Sequence, residues 1–289
     1  MTNTPSSAPA QPEKSPKDPG RAGRNLPVAI ASGVVLGVVI IASLVFWKPA
    51  FLAVVLAAIL VGIWELKEAF AVHDIRFGWP LVMAGAVAMI VGAYLGGPVV
   101  LLPALAVTAF GVLLWRLRAG VAGYVRDATA GVFTATYVPF LAGFVALMLD
   151  RPDGVRRVVT FILVTVASDV GGYAVGVLIG RHPMAPLISP KKSWEGFAGS
   201  VAFCLATGWA SVVYLLHGDW WVGLLLGAVA AVFATSGDLV ESLIKRDLGI
   251  KDMSSVVPGH GGLMDRLDSL LATVAPVWLV LFCLVPAVL

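Results

Sequence analysis

Runs of about twenty apolar residues recur nine times along this chain, at 26–47, 50–64, 80–95, 99–115, 128–149, 158–179, 197–216, 220–236 and 270–289. Nothing else in the sequence narrows the fold as far. In lipid, each backbone N–H and C=O must find its partner within its own segment, so every run is expected to be an α-helix crossing a bilayer. A mean hydropathy of +0.92 agrees. The expected fold is all-α, a polytopic integral membrane protein of about nine transmembrane helices with a cytoplasmic N-terminus. The second run is short and can extend to Phe70, which would leave Glu65 and Lys67 near the interface.

Residues 1–25 are rich in Pro, Ser, Ala and Lys/Arg without apolar periodicity, and read as a disordered cytoplasmic tail. The run at 26–47 is too long for a signal-peptide core and lacks a small-x-small cleavage site at its far end, so it is expected to stay as a first span. Residues 26–289 are then one transmembrane domain, with its chemistry in 165–270. No repeat of the inverted-transporter kind is visible.

Orientation follows from Lys and Arg. A cytoplasmic N-terminus puts sixteen of them in the inner connections and four outside, Lys48, Arg151, Arg156 and Arg157. The three arginines at 151–157 run against the rule locally, and Asp150 and Asp153 offset them only in part. The connections 181–195 and 237–268 then share the cytoplasmic side. A net charge of +3, with no basic–aromatic stripe, argues against a nucleic-acid partner. Cys204 and Cys283 each lie in an apolar run, which excludes a disulfide framework and a cysteine zinc site and makes both expected packing residues.

In a chain with only 13% charged residues, the window 242–268 gathers Lys245, Arg246, Asp247, Lys251, Asp252, His260, Asp265, Arg266 and Asp268. Glycines are interleaved with both charge signs, as a metal-assisted phosphate site needs. Carboxylates hold hard cations, Lys and Arg meet phosphate oxygens, and glycine lets backbone N–H groups approach an anion. Just upstream, Asp238, Glu241, Ser242 and Lys245 fall at i, i+3, i+4 and i+7, one face if helical. An exposed face of a helix leaving the membrane would have the same spacing. Asp265 and Asp268 are one turn apart at the mouth of the last span. Dipole compensation explains two acids there, but it leaves the preceding His260-Gly261-Gly262 unexplained. His260 suits a donor or positioning role, because a phosphate monoester with a second pKa of about 6 already ionises at neutral pH.

The other polar connection is Ile188-Ser189-Pro190-Lys191-Lys192-Ser193-Trp194-Glu195-Gly196. Lys191 and Lys192 could hold a triphosphate or a lipid phosphate; a basic patch on anionic lipid would look the same. Ser193 is expected to cap the next helix, with Glu195 in its first turn. Asp169 sits mid-span, where a carboxylate costs about 2.5–3.5 kcal/mol, so it should face a polar cavity. Gly171 and Gly172 beside it could equally mark close helix packing, with Asp169 bonded to Ser168 or Tyr173.

These residues resemble the phosphatidate cytidylyltransferase family, the CDP-diacylglycerol synthases. The resemblance is carried by Ser242-x-x-Lys245-Arg246, Lys251-Asp252, and Pro258-x-His260-Gly261-Gly262-x-x-Asp265-Arg266-x-Asp268. Ser189-Pro190-Lys191-Lys192-Ser193-x-Glu195-Gly196 and the segment from Ser168 to Tyr173 add to it. Val257 and Gly172 depart from the usual residues without touching the chemistry. The resemblance implies transfer of a cytidylyl group from CTP to phosphatidate, releasing pyrophosphate, with Mg2+ and a monovalent cation such as K+. It further implies that Asp238 and Asp265 ligate the cations. On this reading Asp238, Ser242, Lys245, Arg246, His260, Asp265, Arg266 and Asp268 are the catalytic group. Asp169, Ser189, Lys191, Lys192, Glu195, Glu241, Lys251, Asp252, Gly261 and Gly262 bind substrate. The enzyme would sit in a bacterial-type plasma membrane with its site facing the cytoplasm; a homodimer is a further expectation.

A rival from another class is an ion-coupled transporter or cation channel, with Asp169, Asp238 and Asp265 lining its path. The clustering of polar residues at one face and the missing repeat count against it. A CDP-alcohol phosphotransferase is unsupported because its spaced aspartates are absent, and a P-loop ATPase because no Walker A motif is present.

Overall fold

Long apolar segments in which every backbone group must be satisfied internally have become helices throughout. The computed structural model describes residues 26–254 and 261–286. Ten α-helices follow in order: α1 Leu26–Phe46, α2 Lys48–Ala71, α3 Trp79–Gly96, α4 Pro98–Arg116, α5 Tyr124–Ala135, α6 Leu141–Leu149, α7 Gly154–Ile179, α8 Trp194–Ala210, α9 Trp220–Asp247 and α10 Met264–Leu284. Among the described residues, eight helical segments are long and apolar enough to cross a membrane. The expected tail at 1–25 and His260 lie outside the described residues.

Three local features depart from a reading based on apolar runs alone. First, α2 continues unbroken to Ala71 and carries Glu65 into the protein interior, where it is fully buried. Second, α5 and α6 form one rod through a π-helical turn at Thr136–Phe140. Pro139, which has no N–H to give, sits in that turn, and the wider turn accommodates the missing bond. Third, the connection after α7 folds into an antiparallel hairpin of β1 (Pro183–Ala185) and β2 (Ser189–Ser193), so the all-α scaffold carries one two-stranded sheet. Arg246 Nε of α9 donates to Ile188 O at 3.4 Å, tying the hairpin down.

Helices α7, α8, α9 and α10 pack on one another as a group, and α2, α3 and α6 pack beside them. Their closest approach rests on small residues, because van der Waals contact rather than water exclusion drives helices together in lipid. At Gly199 of α8, an added Cβ would lie 2.6 Å from Gly171 O and 2.5 Å from the Val175 side chain of α7. Gly199→Val is therefore expected to lower stability by about 1–3 kcal/mol, read as an earlier thermal unfolding in detergent.

The arginines at 151–157 find a structural explanation. Buried Arg157 pairs with Asp153 at 2.8 Å. Its other nitrogens donate to Leu281 O and Val285 O, each at 2.8 Å, at the C-terminal end of α10. Arg151 stacks over the Phe282 ring at 5.0 Å and accepts, through its carbonyl, a 2.8 Å bond from Lys48 Nζ. Two of the three guanidinium groups are thus engaged in helix packing. Cys204 packs inside as expected, its Sγ 3.3 Å from Val164 O. Cys283 is exposed instead, on the outer face of α10.

Candidate active site

With 28 residues, α9 runs about 42 Å, longer than a hydrocarbon core of about 30 Å, and its charged residues are gathered in its last turns. Those turns, the C-terminal half of α7, the start of α8, the hairpin and the first turn of α10 enclose a cavity of about 490 Å3. Nine of the residues singled out from the sequence line it. Asp169, Asp238, Asp252, Asp265 and Asp268 supply the acids, and Lys191, Lys192, Lys245 and Arg266 the bases.

The i, i+3, i+4, i+7 stripe of α9 is realised as one helical face. Lys192 Nζ reaches across from β2 to Asp238 Oδ2 at 2.5 Å. Ser242 Oγ stands 3.4 Å from Asp238 Oδ1. Lys245 Nζ bridges two helices, 2.8 Å from Asp265 Oδ1 and 3.2 Å from Glu241 Oε2. Glu241 itself is fully buried behind the cavity wall. Asp169 faces the cavity and is exposed to it, which is the polar-wall alternative. Close glycine packing is present beside it, an added Cβ at Gly171 lying 2.6 Å from Gly199 O of α8.

Asp265 Oδ2 accepts from Gly262 N at 2.8 Å and Met253 N at 3.0 Å, so the carboxylate is held by one ammonium and two amides. Asp268 also lines the cavity, and its Oδ1 accepts from Ser269 N at 2.6 Å. Ser193 caps α8, accepting from Gly196 N at 3.1 Å, as its place before Trp194 predicts.

Other expected site residues stand off the cavity. The Glu195 carboxylate is turned toward the entry to the hairpin, 3.1 Å from Arg181 N and 2.5 Å from His182 Nδ1. It organises the connection that carries the two lysines. Arg246 is exposed and reaches the hairpin through Nε, Ser189 lies in β2 opposite Ala185, and Lys251 is exposed. Gly261 has φ +85°, a left-handed conformation that a side chain would strain.

One residue escaped the sequence reading. Glu65 Oε1 accepts from Ser254 Oγ at 2.5 Å and Leu263 N at 2.8 Å, and its Oε2 accepts from Met264 N at 2.7 Å. Glu65 falls on the buried face of α2 with Ile59, Gly62, Ile63 and Leu66, while Lys67 and Glu68 beside it stay off that face. The partners of Glu65 are 189 to 199 residues away, beyond any local pattern.

Among the described residues, no group of three or more His, Cys, Asp or Glu side chains is arranged to hold a metal unaided. Lysine ammonium groups stand on both Asp238 and Asp265. This donor set fits a hard cation of the Mg2+ kind, which takes one or two carboxylates and fills its remaining positions with water and substrate phosphate.

Comparison with known proteins extends these observations to most of the chain. Residues 27–284 match the profile described as "Cytidylyltransferase family". The chain is 43% identical to the phosphatidate cytidylyltransferase of Mycobacterium leprae, over 93% of this chain and 91% of that protein. It is 40% identical to the Mycobacterium bovis protein of the same name, over 97% and 96%. The Staphylococcus epidermidis phosphatidate cytidylyltransferase is 31% identical over 85% and 93%.

Proposed function

The chain belongs to the cytidylyltransferase family, and on that premise we propose that it transfers the cytidylyl group of CTP to phosphatidate, giving CDP-diacylglycerol and pyrophosphate. The observation that carries the proposal is the cavity itself: acids and bases from α7, the hairpin, α9 and α10 converge on one space at the end of a membrane bundle. Two polyanionic reactants must meet there, and one of them is anchored in lipid by its acyl chains at about 0.8 kcal/mol per CH2.

The chemistry asks for placement and charge neutralisation. A phosphate oxygen of the lipid attacks the α-phosphorus of CTP in line, the bond to the β-phosphate breaks, and pyrophosphate leaves with the electron pair. No enzyme nucleophile is needed. Lys191 and Lys192 on the hairpin, Lys245 on α9 and Arg266 on α10 are the groups that would meet phosphate oxygens. Asp238 and Asp265 would hold the cations, Mg2+ and a monovalent ion such as K+. The divalent cation would screen the phosphates and stabilise charge developing on the leaving group. Asp169 and Asp268 face the same space and would orient water or substrate hydroxyls. The site is proposed to face the cytoplasm, where CTP is found.

The test is direct. Purified protein in mixed micelles with phosphatidate, Mg2+ and labelled CTP should move label into the lipid extract, and label no higher than in a protein-free blank would overturn the proposal. Lys192→Met keeps the apolar stem but removes the ammonium that stands on Asp238. It is expected to raise KM for CTP by about ten- to a hundredfold, the worth of a hydrogen bond to a charged group, with unchanged thermal unfolding.

A further inference from the structure

Glu65 lies outside the cavity, on a helix that contributes nothing to its lining, yet it is tied to the segment on which Asp265 depends. Among the described residues, the groups donating to it belong to the strip entering or preceding α10: the Ser254 hydroxyl and the Leu263 and Met264 amides. The Asp265 carboxylate takes the neighbouring amides, Gly262 N and Met253 N. Two acids from distant parts of the chain thus divide two short sets of donors, one at residues 253–254 and one at 262–264. Gly262 sits between them, where an added Cβ would be 2.8 Å from Asp265 Oδ2 and 3.0 Å from Glu65 Oε2.

A fully buried carboxylate that accepts three hydrogen bonds and meets no cation in the described residues is an unusual way to start a helix. Capping normally falls to a residue adjacent in sequence and costs the protein no buried charge. Reaching from α2 does something a local cap cannot, because it fixes α10 in position against a second helix. The orientation of Asp265, and with it the Lys245 ammonium bridging to Glu241, follows from where the amides of residues 262 to 264 are held.

We propose that Glu65 is a positioning residue for the reaction, holding the amides of Leu263 and Met264 and the hydroxyl of Ser254 so that the Asp265 carboxylate stays set against the Lys245 ammonium at the cavity. The inference rests on the cytidylyl-transfer reading for its activity arm only. Glu65 acts through its acceptor oxygens, so the ranking of variants separates positioning from packing. Glu65→Gln preserves shape but turns one oxygen into a donor facing another donor. Glu65→Asp loses a methylene but keeps both acceptors.

The experiment uses the full chain in detergent micelles and has two arms. Amide hydrogen exchange, measured without ligands, should rise about tenfold at Leu263 and Met264 in Glu65→Gln and stay unchanged in the rest of α2 and α10. Steady-state turnover with CTP and phosphatidate should fall about a hundredfold in kcat, as expected for a small misplacement of reacting groups. Glu65→Asp should retain more turnover than Glu65→Gln. The reverse ranking, wild-type kcat in Glu65→Gln, or unchanged exchange at 263–264 would each overturn the proposal. Should Glu65→Gln fail to fold, Ser254→Ala decides: it removes one of the three donors and should lower kcat about three- to tenfold, and wild-type kcat there would also overturn the proposal. If the wild-type protein itself labels no lipid, the reaction assignment fails instead, and the exchange arm alone then decides whether Glu65 holds the segment.

Discussion

Asp265→Asn is expected to lower transfer of label from CTP into lipid by about a thousandfold without unfolding the protein. Asp265 is held from both sides, by Lys245 Nζ at 2.8 Å on one oxygen and by the Gly262 and Met253 amides on the other. An asparagine has one acceptor oxygen for these two sets of donors, so its NH2 must face either the ammonium or the amides. It also loses the negative charge that would draw a divalent cation into the cavity and set Lys245 opposite it. The helix should survive, because the Leu263 and Met264 amides at its start are held independently by Glu65. The measurement is turnover in mixed micelles beside a thermal unfolding curve, and full activity with an unchanged curve would remove Asp265 from the site.

The largest effect on stability is expected at the other end of the same helix. Arg157→Met should cost about 3–5 kcal/mol, the usual result of removing one partner from a buried ion pair. Arg157 is almost fully buried, and its loss strands Asp153 together with the carbonyls of Leu281 and Val285 at the end of α10. Asp153 Oδ2 already lacks a partner among the described residues, so little is left to absorb the change. Thermal unfolding in detergent should move to clearly lower temperature in Arg157→Met, and Asp153→Asn/Arg157→Met should recover part of the loss by removing the stranded charge. A curve like that of the wild type in Arg157→Met would show that the helix end needs no such cap.

The helices were legible because lipid leaves the backbone no alternative, and the length of each apolar run records the thickness it must cross. The face shared by Asp238, Ser242 and Lys245 was legible for a similar reason, since helical spacing alone aligns them. What escaped the sequence depends on distance along the chain. Glu65 looked like an interfacial charge at the end of a short span, and its partners at 254, 263 and 264 carry no periodic signal pointing back to it. Arg157 looked like a violation of the positive-inside pattern, because its acceptors are backbone carbonyls 124 and 128 residues away. The hairpin at 183–193 was invisible to pattern reading because its strands, of three and five residues, are too short to show alternation. Glu195 followed from that blindness: a first-turn acid beside two lysines looks like part of their binding surface until the chain's return past His182 is seen.

The twenty-one residues of α10 resemble a beam pinned at both supports, by an acid from the second helix at one end and a base from the seventh at the other. Apolar side chains along its span can be exchanged for one another at modest cost, but its length is not free. One inserted or deleted residue would turn everything beyond it by about 100°. With the far end fastened, the aspartates at the near end would swing off the cavity. In this protein, conservation of spacing between the two pins should therefore be stricter than conservation of what lies between them.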